Sequence, residues 1–166
     1  MWKQKLGMSL SNQYSVPTPD AVRMLAKAGF EAISPVWSGK VDLEPTIQTA
    51  RECGLVLQSL HAPFHLVNRL WNADETLSEP AMQELFRSLE DCRRWEIPVW
   101  VTHAWIGFGD EVGDVPSGLK NYGKLVERAA EYGIRVAIEN TEGLQYLEIL
   151  MEHFKENPTV GFCWDS

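Results

Sequence analysis

The strongest constraint on the fold is a regular alternation of short apolar segments with longer segments of helical periodicity. Six segments are short and apolar enough to be strands, at residues 6–10, 32–36, 55–61, 99–103, 134–139 and 160–165. Five helical patterns lie between them, at residues 18–29, 45–53, 79–95, 117–132 and 144–155. Strands that alternate with helices in this way are typical of repeated βα units around a parallel sheet. We therefore predict a single α/β domain over residues 1–166.

Turn signals at the helix ends support this division. Gly29, Gly54 and Gly133 each end a predicted helix just before a strand, where glycine adopts the left-handed conformation at low cost. Thr18-Pro19-Asp20 offers the first helix an N-cap oxygen, a proline in its first turn and an acid near the positive end of its dipole. Ser78 is the expected cap of the third helix.

The composition argues against several classes of protein. With 45% hydrophobic and 23% charged residues, the 166-residue chain can form one core. No run approaches the ~18 apolar residues of a membrane span, so we expect no membrane partner and a cytoplasmic location. A formal charge of -8 without a Lys/Arg cluster argues against nucleic acid as a partner. Cys53, Cys92 and Cys163 fit no Cys-x-x-Cys pair, so we expect free thiols.

Four consecutive predicted strands end in a side chain able to bind a metal or transfer a proton. These residues are His61, His103, Glu139 and Asp165. A closed barrel brings all its strand ends to one axis, whereas an open doubly wound sheet gathers its ligands at a switch point. We therefore prefer a (β/α)8 barrel, with about six strands and five helices in this chain, and a site at the carboxyl ends of its strands.

Each of these residues also has a purely structural interpretation. A carboxylate at a strand end can cap the next helix, and a histidine there can be a core residue bonded to the backbone. Taken together, two histidines and two carboxylates at four consecutive strand ends favour a metal site. Trp37 and Trp105 near the same rim could stack on a sugar face, although packing beneath loops is the commoner role of such residues.

Short motifs at these strand ends resemble one superfamily. His61-Ala62-Pro63, Thr102-His103, Ile138-Glu139-Asn140 and the segment 161–165 are similar to the xylose isomerase-like TIM barrels, which include sugar and sugar phosphate isomerases and epimerases and the apurinic endonuclease family. The resemblance implies that Glu139 is a metal ligand near the reacting carbon and that Asp165 is a second ligand. It also implies that His61 and His103 line the substrate site or, in the endonuclease branch, bind zinc.

The chain departs from this superfamily in its extent. Two further ligands of the superfamily, a histidine on strand seven and a glutamate on strand eight, have no counterpart here. Six strands also leave two unpaired edges and an open apolar interior. We expect either a longer natural chain or edges covered by another copy or a partner, so self-association through the edges is possible.

The sequence thus favours a divalent-metal-dependent isomerase or epimerase of a small sugar or sugar phosphate. Mn²⁺, Mg²⁺, Co²⁺ or Zn²⁺ would serve as the cofactor, and Glu139 would take part in catalysis. One alternative is a zinc-dependent phosphodiesterase of the apurinic endonuclease type. The other is a non-catalytic partial barrel that needs a partner, and we expect this chain alone to be inactive.

Overall fold

A computed structural model describes residues 4–11, 15–108 and 113–165. The strands are β1 (Gly7–Ser9), β2 (Ala32–Ser34), β3 (Val56–Leu57), β4 (Leu60–His61), β5 (Val99–His103), β6 (Arg135–Glu139) and β7 (Val160–Cys163). The helices are α1 (Thr18–Lys27), α2 (Glu44–Glu52), a 3-10 helix (Val67–Trp71), α3 (Glu75–Arg94), α4 (Val115–Glu131) and α5 (Leu144–His153).

The strands follow one another in chain order, and every pair is parallel. β1, β2 and β3 form a three-stranded sheet, and β4, β5, β6 and β7 form a four-stranded sheet. A parallel bridge between Val36 and His61 joins the two sheets. The order agrees with a partial (β/α)8 barrel. The predicted third strand is interrupted at residues 58 and 59, because its first half pairs with β2 and its second half with β5.

The core lies between the four-stranded sheet and its helices. Ile134, Val136 and Ile138 are almost fully buried, as the period-two alternation of apolar residues in this segment predicts, and the next residue, Glu139, lies on the opposite face. The three-stranded sheet has a separate, smaller cluster of buried residues: Leu10, Val22, Ile33, Ala50 and Leu55.

Three predicted helix boundaries differ from the structure. The side chain of Asp74 accepts a hydrogen bond from Thr76 N at 2.9 Å, so α3 begins at Glu75 and continues through Pro80. Ser78 is therefore inside the helix rather than its cap. Thr18 is the first residue of α1, and Pro17 O accepts the bonds from the first free N–H groups. Asp114 caps α4 by accepting from Ser117 N at 2.9 Å, which moves its start to Val115.

The three glycines predicted to end helices have the expected backbone conformation. Their φ angles are +91°, +72° and +69° at Gly29, Gly54 and Gly133. These left-handed residues end each helix, and the next strand begins two or three residues after the glycine.

The apolar face of β7 is exposed. Period-two alternation puts Phe162 and Trp164 on the bulky face of this strand, which should pack against a helix layer, but they are 48% and 74% exposed. Within the described ranges, no helix covers this face. Leu144 on α5, which shares a helical stripe with Leu147 and Met151 in the sequence, is also exposed. Among the described residues, no helix is long and apolar enough to cross a membrane.

Candidate metal centre

The register of the four-stranded sheet brings three predicted site residues together. His103 is paired with Glu139, and His61 is paired with Val101, two residues before His103 on the same face of β5. Nε2 of His103 lies 2.8 Å from Glu139 Oε2, and Nε2 of His61 lies 3.1 Å from that oxygen and 3.1 Å from Nε2 of His103. Two nitrogens and one oxygen thus face a common point at the carboxyl ends of β4, β5 and β6.

Burial strengthens the electrostatic coupling within this group. The side chains of His61, His103 and Glu139 are 18%, 13% and 14% exposed. Hydrogen bonds from His103 and then His61 outweigh the effect of burial and lower the pKa of Glu139 to about 2. Burial would lower the pKa of His61, but its bonds with Glu139 and with the Ala62 carbonyl, together with the negative charge, raise it overall. Glu139 is therefore anionic at neutral pH.

The hydrogen bonding of His61 fits a cation at this point. Its Nδ1 lies 2.8 Å from the Ala62 carbonyl oxygen, which can only accept, so Nδ1 carries a proton. In the neutral ring, Nε2 then directs a lone pair at the carboxylate oxygen of Glu139, and two acceptors at 3.1 Å repel each other. A proton or a metal ion between them removes this repulsion. The three ligand atoms lie within 4.8 Å of one another, as a shared metal requires.

Asp165 lies beside this group rather than in it. Within the described residues, the close set of potential ligands consists of His61, His103 and Glu139. Asn140 holds the backbone of Asp165 through two bonds of 2.7 Å, one in each direction. The negative charge of Asp165 is nevertheless close enough to contribute to the raised pKa of His61.

Cys163 is a site neighbour that the sequence reasoning missed. Its Sγ lies 3.9 Å from Oε1 of Glu139, the oxygen that faces away from the histidines. Burial, followed by the charges of Glu139 and Asp165, raises the pKa of the thiol, so it remains protonated. The alternation along β7, which places Cys163 on the same face as Asp165, was the available signal.

The two tryptophans predicted to line the site have different surroundings. Trp37 is 5% exposed, and its indole N–H is donated to Asp91 Oδ2 at 2.6 Å. Trp105 stacks on Tyr146 with ring centroids 4.2 Å apart. The ring contacts seen among the described residues pair neither tryptophan with His61 or His103. Phe64 instead contacts both histidines: it stacks on His103 with ring centroids 5.3 Å apart and meets His61 edge-on at 5.7 Å.

A cavity of about 680 Å³ also has Phe64 in its lining. It lies at the carboxyl ends of β1, β2 and β4, and it combines apolar surface with hydroxyl and charged groups. Its lining includes Ser9, Ser11, Trp37, Ser38, Lys40, Phe64, His65 and Glu84. A volume in this range is typical of small-molecule sites.

Comparisons with solved structures identify the fold. No family model and no curated protein matches the sequence. Similar solved structures include the 3-keto-D-glucoside 4-epimerase YcjR from E. coli, with a TM-score of 0.76 and 16% identity over 98% of this chain and 68% of that one. Another is D-allulose 3-epimerase from Methylomonas sp., with a TM-score of 0.73 and 17% identity over 98% of this chain and 64% of that one.

A third similar structure is that of a protein named after the xylose isomerase domain. It is a xylose isomerase domain protein from Planctomyces limnophilus, with a TM-score of 0.73 and 14% identity over 97% of this chain and 63% of that one. The chain has a xylose isomerase-like TIM-barrel fold. It spans about two thirds of the length of these neighbours, so its two parallel sheets correspond to part of the xylose isomerase-like barrel.

Proposed function

We propose that this chain provides part of the active site of a divalent-metal-dependent sugar isomerase or epimerase. The observation that carries the proposal is the convergence of His61, His103 and Glu139 on one point. Support comes from the solved neighbours, two of which are named as epimerases of a keto-glucoside and of allulose. The position at the carboxyl ends of parallel strands is the usual place of an active site in this type of barrel.

The donor set favours particular metals among the four expected. Two imidazole nitrogens and one carboxylate suit Zn²⁺, Co²⁺ or Mn²⁺, whereas Mg²⁺ prefers a shell of oxygens. Asp165, which lies at the side of the group, is proposed as a further ligand. When bound, such a metal polarises a carbonyl or hydroxyl oxygen of the substrate.

Glu139 has two proposed roles, as a ligand and as a catalytic group near the reacting carbon. The pKa of about 2 favours the ligand role in the observed arrangement, because a general base works best with a pKa near the working pH. Proton transfer by Glu139 would use Oε1, which faces Cys163 rather than the histidines.

The sugar is proposed to lie between the metal group and the neighbouring cavity. Phe64 contacts both histidines and also lines the cavity, so its ring forms a continuous apolar surface between the two. Trp37 adds apolar surface, and the serine hydroxyls and Lys40 add polar groups, a combination that suits a small sugar or sugar phosphate. Trp105 is a proposed substrate contact from the opposite side of the rim.

Metal titration tests the proposal directly. Calorimetric titration of the chain with Zn²⁺, Co²⁺ and Mn²⁺ should show one saturable site, and Glu139→Gln should abolish it. Glu148→Gln, at an exposed position on α5, is the matched control and should bind like the original chain. Equal binding by the Glu139→Gln variant would contradict the assignment.

Two alternatives predict different results. A zinc-dependent phosphodiesterase is supported by the His61/His103 pair, and it predicts salt-sensitive binding to duplex DNA that contains an abasic site. A non-catalytic partial barrel that needs a partner is supported by β1 and β7, each of which has one strand neighbour among the described residues. It predicts concentration-dependent association in sedimentation experiments and no binding of divalent ions. The cytoplasmic location remains a prediction.

A further inference from the structure

The two histidines of the metal group are oriented in different ways. His61 has a hydrogen-bond partner on the nitrogen that faces away from the group, the Ala62 carbonyl at 2.8 Å. In His103 the corresponding nitrogen, Nδ1, is buried and has no partner within the described ranges. Metal-binding histidines are normally oriented by such a partner. Another feature must therefore orient His103.

The backbone after His103 is held by an unusual series of side-chain hydrogen bonds. Four successive carbonyls, from His103 to Ile106, each accept a bond from a different side chain. The donors are Tyr122 OH to His103 O at 2.6 Å, Trp71 Nε1 to Ala104 O at 2.8 Å, Thr141 Oγ1 to Trp105 O at 2.6 Å and Asn68 Nδ2 to Ile106 O at 2.7 Å. We call these four donors the carbonyl clamp.

The first two donors of the carbonyl clamp are shielded from water. Tyr122 is fully buried and Trp71 is 2% exposed, and their rings are in contact at 5.8 Å. Burial raises the pKa of the Tyr122 hydroxyl, so it remains a donor at any physiological pH. Without water as a substitute partner, the loss of this hydroxyl leaves the His103 carbonyl with only a long bond of 3.4 Å from Thr102 Oγ1 or forces the carbonyl to move.

The carbonyl clamp also joins separate parts of the chain. Tyr122 lies on α4, Asn68 and Trp71 on the 3-10 helix, and Thr141 follows β6 directly after Glu139 and Asn140. Asn121 Nδ2 donates to Leu70 O at 2.8 Å and so fixes the 3-10 helix to α4. The backbone from His103 to Ile106 is therefore held firmly against the core.

We propose that Tyr122 is a positioning residue of the metal centre, which sets the backbone of His103 so that its Nε2 meets Glu139 and the bound ion. The stacked ring of Phe64 completes the orientation of the imidazole at 5.3 Å. This inference rests on the proposed metal-dependent function. It assigns Tyr122 no contact with metal or substrate.

The test compares two buried tyrosines. Tyr122→Phe removes the hydroxyl that holds His103, and Tyr146→Phe removes one that accepts from Gly113 N at 2.8 Å. Both rings are fully buried and both contact Trp71. In titrations of the full chain, Tyr122→Phe should weaken Zn²⁺ binding about tenfold and change the visible absorption of bound Co²⁺, whereas Tyr146→Phe should leave both unchanged.

The possible outcomes separate the inference from the proposed function. If the unaltered chain binds neither ion, the metal-dependent function and the positioning role both fail. If it binds and Tyr122→Phe binds equally well, or if both phenylalanine variants weaken binding alike, only the positioning role is overturned. Should Tyr122→Phe not fold, Thr141→Val takes its place. It removes the clamp donor that is closest to Glu139 in the sequence. Because Thr141 holds the carbonyl of Trp105 rather than that of His103, Zn²⁺ binding should weaken only about threefold, less than the roughly 10-fold loss typical of outer-shell changes. An unchanged affinity overturns the inference.

Discussion

The three-stranded and four-stranded sheets differ in the length of their strands and in how well helices cover them. Strands β1, β2 and β3 have three, three and two residues, and β1 is exposed along its length. Strands β5 and β6 have five residues each and are covered by α3 and α4. The close ligand group lies entirely on the four-stranded sheet, whereas the cavity lies mainly along the three-stranded one.

This difference indicates that the two sheets have different roles, one in metal binding and the other in forming the sugar pocket. A metal centre needs ligand atoms held to fractions of an ångström, which well-packed strands provide. A sugar pocket tolerates more adjustment in its walls. The two parts meet at His61, whose backbone bonds to Pro35 and Trp37 on one side while its side chain belongs to the ligand group on the other.

The largest expected effect compares one isoleucine from each sheet. Ile138 on β6 and Ile33 on β2 are both fully buried, and each is changed to alanine. Ile138→Ala should lower the free energy of unfolding by about 4 kcal/mol, because the surrounding core cannot close the cavity. Ile33→Ala should cost about 2 kcal/mol, since its small cluster can collapse. Urea denaturation measures both values, and equal costs would remove the claimed difference in packing.

The next effect compares one histidine of the ligand group with one histidine of the cavity. His103→Gln should weaken Zn²⁺ binding by at least about 100-fold, or roughly 3 kcal/mol, because it removes one of three converging ligands. His65→Gln, in the cavity and paired with Glu84 at 3.5 Å, is the control and should leave the affinity unchanged. A loss of metal affinity at His65 instead would move the metal centre into the cavity.

Much of the fold could be predicted from the sequence because local and long-range signals agreed. Apolar alternation, glycine stops and strand-end polar residues all indicated the same βα repeat. The errors came from competing local signals. Ser78 suggested a late helix start, but the Asp74 cap acts earlier in the chain. The break at residues 58 and 59 reflects the partners of β3 and β4, which short sequence windows do not contain.

The sequence predicted which residues form the candidate site better than it predicted how they are arranged. The strand-end positions of His61, His103 and Glu139 followed from the periodicity, and the parallel register brought them together. The offset of Asp165 did not follow, because it depends on where β7 ends and on the two bonds to Asn140. The carbonyl clamp could not be seen in the sequence either, because its donors lie 19 to 38 residues from the carbonyls they bind. The weaker bond of Tyr122 to Ala104 spans 18 residues.

A smaller effect is expected where Trp37 joins the two sheets. Its backbone N–H is donated to His61 O at 2.9 Å, and its indole to Asp91 on α3. Trp37→Phe should lower stability by about 1 kcal/mol through the lost charge-assisted bond, with metal affinity unchanged. A double-mutant cycle with Asp91→Ala should return a coupling of similar size. Weaker sugar binding at unchanged stability would instead make Trp37 a substrate contact.

The smallest effect tests whether Asp165 joins the ligand group from its place at the side. Asn140→Ala removes both bonds that hold the Asp165 backbone beside Glu139. Asn157→Ala is the control, because Asn157 accepts from Thr159 N at 2.9 Å at the other end of β7. If Asp165 is a ligand, Asn140→Ala should weaken Zn²⁺ binding about threefold, while Asn157→Ala should not. This loss is smaller than the roughly 10-fold or greater loss typical of outer-shell changes, because Asp165 lies at the side of the group. Equal affinities in the two variants would limit the centre to His61, His103 and Glu139, and the four-stranded sheet would then hold the metal without help from the segment beyond its last strand.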